Sequence, residues 1–198
     1  DMVYSEIYGM NQVSVQDVLH ILEKNGVTVE QVIQLPYIRD DVFNYLPVTE
    51  INRDFGCDYQ IQEGEFLNLF QYNLEDGYEH NIQPVSTVTI SGDRKLQSVG
   101  TDVKILFNQN PTFADKTLII NDSDFEKLSA DITGSAGIAN LFQFQNWEDS
   151  YAGVCEVKEY LQESNQLNED EQTYYELSSK VEKYQDAKKS GQFLLFLM

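Results

Sequence analysis

The grouping of its apolar residues constrains this 198-residue chain more than any other feature. Between Val27 and Phe144 they come mostly in short β-branched runs, such as Val85-Ser86-Thr87-Val88-Thr89-Ile90 and Thr117-Leu118-Ile119-Ile120, separated by polar turns. From Trp147 onward they recur at helical spacing instead. Short strands followed by long helices predict an α+β fold: a mixed, mostly antiparallel sheet with packed helices and a C-terminal helical stalk. They disfavour a doubly wound α/β sheet.

A first helix is expected over Ser14 to Asn25, where Val15, Val18, Leu19 and Leu22 fall at i, i+3, i+4 and i+7. Ser14 and Asp17 have the spacing of a capping box, and Gly26 suits the left-handed residue that ends a helix. His20, beside the apolar stripe, is expected to be partly buried. Val27 to Ile38 is strand-like with an irregular end at Pro36. Val48 to Ile51 fits a further short strand, and Glu63 to Tyr72 fits either a helix or a buried strand. Strands are also expected over Val85–Ile90, Asp102–Phe107, Thr117–Ile120 and Ile138–Phe144. The turn Ser91-Gly92-Asp93 and loops over Leu74–Pro84, Asn108–Ala114 and Thr133–Gly137 lie between them. Ser123 and Glu126 have capping-box spacing, so a helix is expected there. Two helices close the chain, about Trp147–Gln162 and Glu169–Lys189. The second carries an apolar seam of Tyr174, Leu177, Val181 and Tyr184.

This organisation predicts a globular domain over residues 1–165 and a long C-terminal helix over 166–198. The six residues Phe193 to Met198 are all apolar, far short of the about 20 that a membrane span requires. They suit the first turns of a truncated transmembrane helix, with Lys188 and Lys189 at the headgroups. A strand or helix end packed in the core fits the run alone equally well. The chain opens Asp1-Met2 without a signal-peptide pattern, so it is not expected to start at a natural initiator.

Thirty-three acids against thirteen bases give a net charge of −20. Such a surface repels phosphate backbones, which argues against a nucleic-acid partner, and attracts cations, basic proteins or cationic peptides. It also keeps a domain soluble with no further role. Within it, the acidic stretch Glu163 to Glu171 joins the last two helices. Glu169, Asp170 and Glu171 are the candidate contacts for a cationic ligand, beside their simpler role of favouring a helix N-terminus. Cys57 and Cys155 lack zinc-site spacing and are expected to be buried free thiols, although an extracellular domain permits their pairing.

Signatures of chemistry are missing. The sequence has no phosphate-binding glycine loop, no HExxH and no GxSxG, so no cofactor is expected and the chain is expected not to be an enzyme. His80 lies in a polar loop. With this many carboxylates, a chance pair of the glycosidase kind says little. Asp122-Ser123-Asp124 begins like a calcium loop but lacks the glycine and the spaced third ligand, which leaves helix capping as the better account.

Two segments carry a family resemblance. Ser190-Gly191-Gln192-Phe193-Leu194-Leu195-Phe196-Leu197, after a long amphipathic helix, resembles the junction where the extracellular domain of an FtsX-like ABC transporter permease re-enters the membrane. The nearest types are the MacB-like and antimicrobial-peptide transporters of Gram-positive bacteria. Lys116 to Leu128, a strand running into an acidic helix start, is similar to segments of the same domains. The resemblance implies a cell-membrane protein whose extracellular domain senses or engages a ligand, with a cytoplasmic ATPase subunit and often a histidine kinase as partners. It implies no catalytic residues. The alternative is a secreted or lipid-anchored binding module or adhesin.

Overall fold

The computed structural model describes residues 4–9, 15–70, 83–90, 93–104, 106, 116–131, 135–164 and 184–190. In chain order the elements are β1 (Tyr4–Gly9), α1 (Val15–Lys24), β2 (Val29–Arg39), β3 (Asn44–Pro47), α2 (Val48–Phe55), β4 (Glu65–Phe70), β5 (Thr87–Ile90), β6 (Arg94–Val103), β7 (Thr117–Ile120), α3 (Asp122–Ala130), β8 (Ser135–Phe144), a 3₁₀ turn (Trp147–Asp149) and α4 (Tyr151–Ser164). Residues 184–190 form a further helical segment, α5. The fold is α+β, as the sequence predicts. The chain divides into two compact units: Asp1–Gln34 with Ala139–Met198, and Leu35–Ile138. The expected boundary between residues 165 and 166 lies outside the described residues.

In the first unit the strands neighbour one another in the order β1-β8-β2, and α1 packs on α4. Val18 and Leu22 of α1 are buried with Val27, Phe142 and Phe144 and with Val154, Val157 and Leu161 of α4. α1 ends as its sequence foretells. Gly26 takes φ 75°, its N–H bonds to the Glu23 carbonyl at 2.9 Å and the Val27 N–H to the Leu22 carbonyl at 2.9 Å. This is the paired closure of a Schellman motif, with Val27 and Leu22 in apolar contact across it. His20, two positions beyond buried Val18, turns away from the core and is exposed, contrary to the sequence expectation.

Both ends of α1 are tied to α4. The Tyr160 hydroxyl donates to Asp17 Oδ2 at 2.8 Å, and Lys24 and Asn25 donate to Glu156 at 2.6 and 2.8 Å. Beyond the Lys24–Glu156 tie, α4 comes close to the end of α1 at Gly153, where an added Cβ would lie 2.9 Å from Val27 Cγ2 and 3.3 Å from Asn25 Cβ. Val27 is β-branched and cannot swing aside. Gly153→Ala is therefore expected to destabilise the protein by about 1 kcal/mol net, overpacking of about 2 kcal/mol exceeding the helix-propensity gain of about 1. A urea titration followed by Trp147 fluorescence reads the sign.

The helix expected from Trp147 begins instead with the 3₁₀ turn, and α4 proper starts at Tyr151. Ser150 separates the two; its buried hydroxyl donates back to the Trp147 carbonyl at 2.6 Å. The segment α5 docks on this corner. Tyr184 meets Trp147 edge-on at 5.3 Å, Gln185 donates to the Glu148 carbonyl at 3.1 Å, and Lys189 lies 5.7 Å from the centre of the Tyr151 ring. The seam residues Tyr174, Leu177 and Val181 and the run Phe193 to Met198 lie outside the described residues. Among the described residues, no helix is long and apolar enough to cross a membrane.

In the second unit the strand order is β2-β3-β7-β4-β6-β5. β2–β3, β7–β4 and β6–β5 pair antiparallel, whereas β3–β7 and β4–β6 pair parallel, so the sheet is mixed. The central strands β3 and β7 are buried along their whole length, and β4 at all but its ends. This explains their unbroken apolar runs, and the described part of Glu63–Tyr72 holds the strand Glu65–Phe70 rather than a helix. Phe66, Leu96, Leu118, Ile120, Ile38 and Tyr45 share the core on one side of the sheet.

Four expectations fail here for identifiable reasons. Val48–Ile51 is the start of helix α2, not a strand: Val48 and Ile51 are buried at i, i+3, and Gly56 closes the helix at φ 61°. Pro36 does not disturb β2, which continues to Arg39. The strand expected over Asp102–Phe107 lies earlier, at Arg94–Val103, where alternating burial is diluted by Lys95, Gln97 and Thr101 on the exposed face. The α3 cap is Asn121, whose side chain accepts the Ser123 N–H at 3.0 Å, two positions before the expected one.

Candidate functional site

The sequence candidates Glu169, Asp170 and Glu171 lie outside the described residues, as does His80. The acids just before them do not. α4 places Glu156, Glu159, Tyr160 and Glu163 on one face by their spacing of three and four. Together with Ile21 and Lys24 of α1 they line a cleft of about 610 Å³, with Cys155 between them. Glu159 and Glu163 are exposed. Glu156 is held below the usual carboxylate range, first by the Asn25 amide and then by Lys24. Three carboxylates against one ammonium leave the cleft negative, able to attract a cation from solution. The sequence carried the signal: Glu-x-x-Glu-Tyr-x-x-Glu on a helix whose opposite face is apolar.

A second polar cluster forms at the C-terminal ends of β4 and β6. Asn52 of α2 grips Tyr59 by its backbone, donating to the Tyr59 carbonyl and accepting its N–H, both at 2.9 Å. The Tyr59 hydroxyl donates to Asp102 Oδ2 at 2.5 Å and also lies against Cys57. Burial, then these acidic neighbours, push the Tyr59 phenol well above its usual range. Asp102 is held below the carboxylate range by that hydroxyl and by the Val103 N–H, with a smaller contribution from the Lys104 charge. Lys104 Nζ donates to the Phe55 carbonyl at 3.1 Å and to Cys57 Sγ at 3.0 Å.

Both cysteines are free, as expected, but each is half-buried rather than buried. Cys57 follows the exposed Gly56 at the end of α2, and Cys155 faces the α1–α4 cleft.

The Asp122-Ser123-Asp124 acids are engaged in structure. Pro47 at the α2 N-cap offers no side-chain acceptor. Asp122 supplies one from the neighbouring element, accepting the Thr49 N–H at 3.1 Å and the Thr49 hydroxyl. Asp124, 0% exposed, accepts the Gly64 N–H at 2.6 Å and pairs with Arg94 at 2.5 Å. Arg94 also reaches Glu63, which Lys127 meets from α3. Glu63 is held below the carboxylate range by Lys127 first and Arg94 second. Among the described residues no three metal-ligating side chains converge.

No protein-family model matches the chain, and neither a curated protein nor a solved structure is significantly similar to it.

Proposed function

We propose that this chain is the extracellular domain of an FtsX-like ABC transporter permease and that it engages a cationic ligand, such as an antimicrobial peptide, through its acidic surface. The observation that carries the ligand half of this reading is the α1–α4 cleft. Its Glu159 and Glu163 lie on the helix that leads into the acidic stretch Glu163 to Glu171. The net charge of −20 supports long-range attraction of the same ligand. In this reading Glu169, Asp170 and Glu171 are further contacts for the cationic ligand, a cytoplasmic ATPase subunit drives transport, and a histidine kinase is a further partner.

Titration of the chain with a lysine-rich peptide at about 0.02 M and about 0.5 M salt tests the ligand half. Affinity is expected to fall steeply with salt. The double variant Glu159→Gln, Glu163→Gln is expected to weaken low-salt binding about fivefold, two screened surface charges acting together. Binding that is flat with salt and indifferent to these substitutions sinks it. The natural reading frame tests the permease half. It is expected to continue past Met198 into an apolar span of about 20 residues. A signal peptide upstream with an early stop would instead favour a secreted or lipid-anchored binding module acting through the same cleft.

A further inference from the structure

We infer that Cys57 and Lys104 are a site of oxidative cross-linking, in which peroxide joins the Cys57 sulfur to the Lys104 side-chain nitrogen. The two atoms already stand 3.0 Å apart. Their backbones follow different elements, α2 and β6. Cys57 is fixed behind the left-handed Gly56 that ends α2, and the Asn52–Tyr59 pair of hydrogen bonds closes the loop on its far side. Lys104 follows β6 directly, and its backbone N–H bonds to the Phe70 carbonyl of β4 at 3.1 Å. Its ammonium is anchored a second time by the Phe55 carbonyl at the α2 C-terminus. The nitrogen is therefore pre-positioned on the sulfur, which converts a bimolecular encounter into an intramolecular one. Cys57 is half-buried and so open to a small oxidant.

The reaction needs one peroxide. In its thiolate form, the nucleophile of thiol chemistry, the Cys57 sulfur attacks one peroxide oxygen. The O–O bond breaks and the departing oxygen leaves as water with the former thiol proton. The product is a sulfenic acid, which condenses with nearby nucleophiles, nitrogen among them. Lys104 Nζ, as the neutral amine, attacks the sulfur. The S–N bond forms, the S–O bond breaks, and the hydroxyl leaves as a second water with one amine proton. Sulfur is oxidised by two electrons and peroxide is reduced to two waters. The link replaces a hydrogen bond between the end of α2 and the end of β6 with a covalent tie.

The test uses the whole chain carrying Cys155→Ser, because a disulfide between the two cysteines would cause the same mass change. Hydrogen peroxide is added to the reduced protein, and intact mass and peptide maps are recorded. A chain lighter by two hydrogens is expected, with the Cys57 and Lys104 peptides joined, Lys104 closed to acylation, and the change reversed by dithiothreitol. Lys104→Arg keeps the charge and the donors to Phe55 but removes the nucleophilic amine. In that variant the link is expected to vanish while a sulfenic-acid trap now labels Cys57. Any outcome in which peroxide leaves Lys104 of the parent chain open to acylation overturns the inference, whether Cys57 stays reduced or gains oxygen.

Discussion

Asp124→Ala is expected to destabilise the unit Leu35–Ile138 by about 3 kcal/mol, more than any surface charge change in the molecule. Asp124 is 0% exposed, and its removal strips the acceptor from the Gly64 N–H and the counter-charge from Arg94. It also removes a carboxylate from the first turn of α3, where the helix dipole favours one. Breaking a buried pair costs about 3–5 kcal/mol when the survivor is left uncompensated. Here the Arg94 side chain is 30% exposed and keeps Glu63, which places the expected loss at the lower end. Asp124→Asn retains an acceptor for Gly64 and should lose roughly half as much, since a hydrogen bond to a charged group is worth about 1.5–3 kcal/mol. Urea unfolding followed by far-UV circular dichroism measures both. Near-wild-type stability for Asp124→Ala would mean that Glu63 alone satisfies Arg94. Lys127→Ala, by contrast, touches only an exposed pair with Glu63 and should change stability by less than about 1 kcal/mol.

That ion-pair cluster also marks where sequence reading stops. Asp122-Ser123-Asp124 is conspicuous in the sequence, and helix capping accounts for Asp122 alone of the three. Yet Asp122 caps α2 rather than its own helix, and Asp124 answers a guanidinium thirty positions upstream. Local spacing identifies a residue able to cap; only the tertiary fold decides which helix receives it. The strands show the same division. Thr117–Ile120 is legible because a strand buried on both faces needs an unbroken apolar run. The first part of β6 is hidden because one face meets water and carries Lys95, Gln97 and Thr101. Val48–Ile51 reads as a strand because Val48, Thr49 and Ile51 are all β-branched; burial of both Val48 and Ile51, at i and i+3, and the closing Gly56 decide for the helix.

The α1–α4 cleft was half legible. Its acids follow helical spacing, and the helix that carries them was expected over nearly the right residues. What the sequence did not contain was the partner face. The cleft exists because α1 stands against α4, and that follows from Gly153 and from the Asp17–Tyr160 and Lys24–Glu156 ties. The Cys57–Lys104 contact was not legible at all, since 47 positions separate the two residues and neither sits in a motif.

Phe142→Ala is expected to cost the unit that holds α1 and α4 about 4–5 kcal/mol, the upper half of the range for a buried phenylalanine. Phe142 is 1% exposed and is surrounded by Val18, Leu22, Val27, Val154, Val157 and Leu161. The cost of such a truncation depends on whether neighbours can close the gap. Here α1 and α4 are tied at both ends by hydrogen bonds and already touch at Gly153, so they have little freedom to move inward. Phe142→Leu, which leaves a smaller void, should lose about half as much or less. Thermal or urea unfolding followed by Trp147 fluorescence measures both, because the single tryptophan lies in this unit. The acidic face of α4 lies opposite its buried residues Val154, Val157 and Leu161. Well below the unfolding midpoint, Phe142→Ala should therefore leave salt-sensitive peptide binding intact while stability falls. The Glu159→Gln, Glu163→Gln variant should do the reverse. If both variants weakened binding alike, the cleft would be acting through the stability of the unit rather than through its charge.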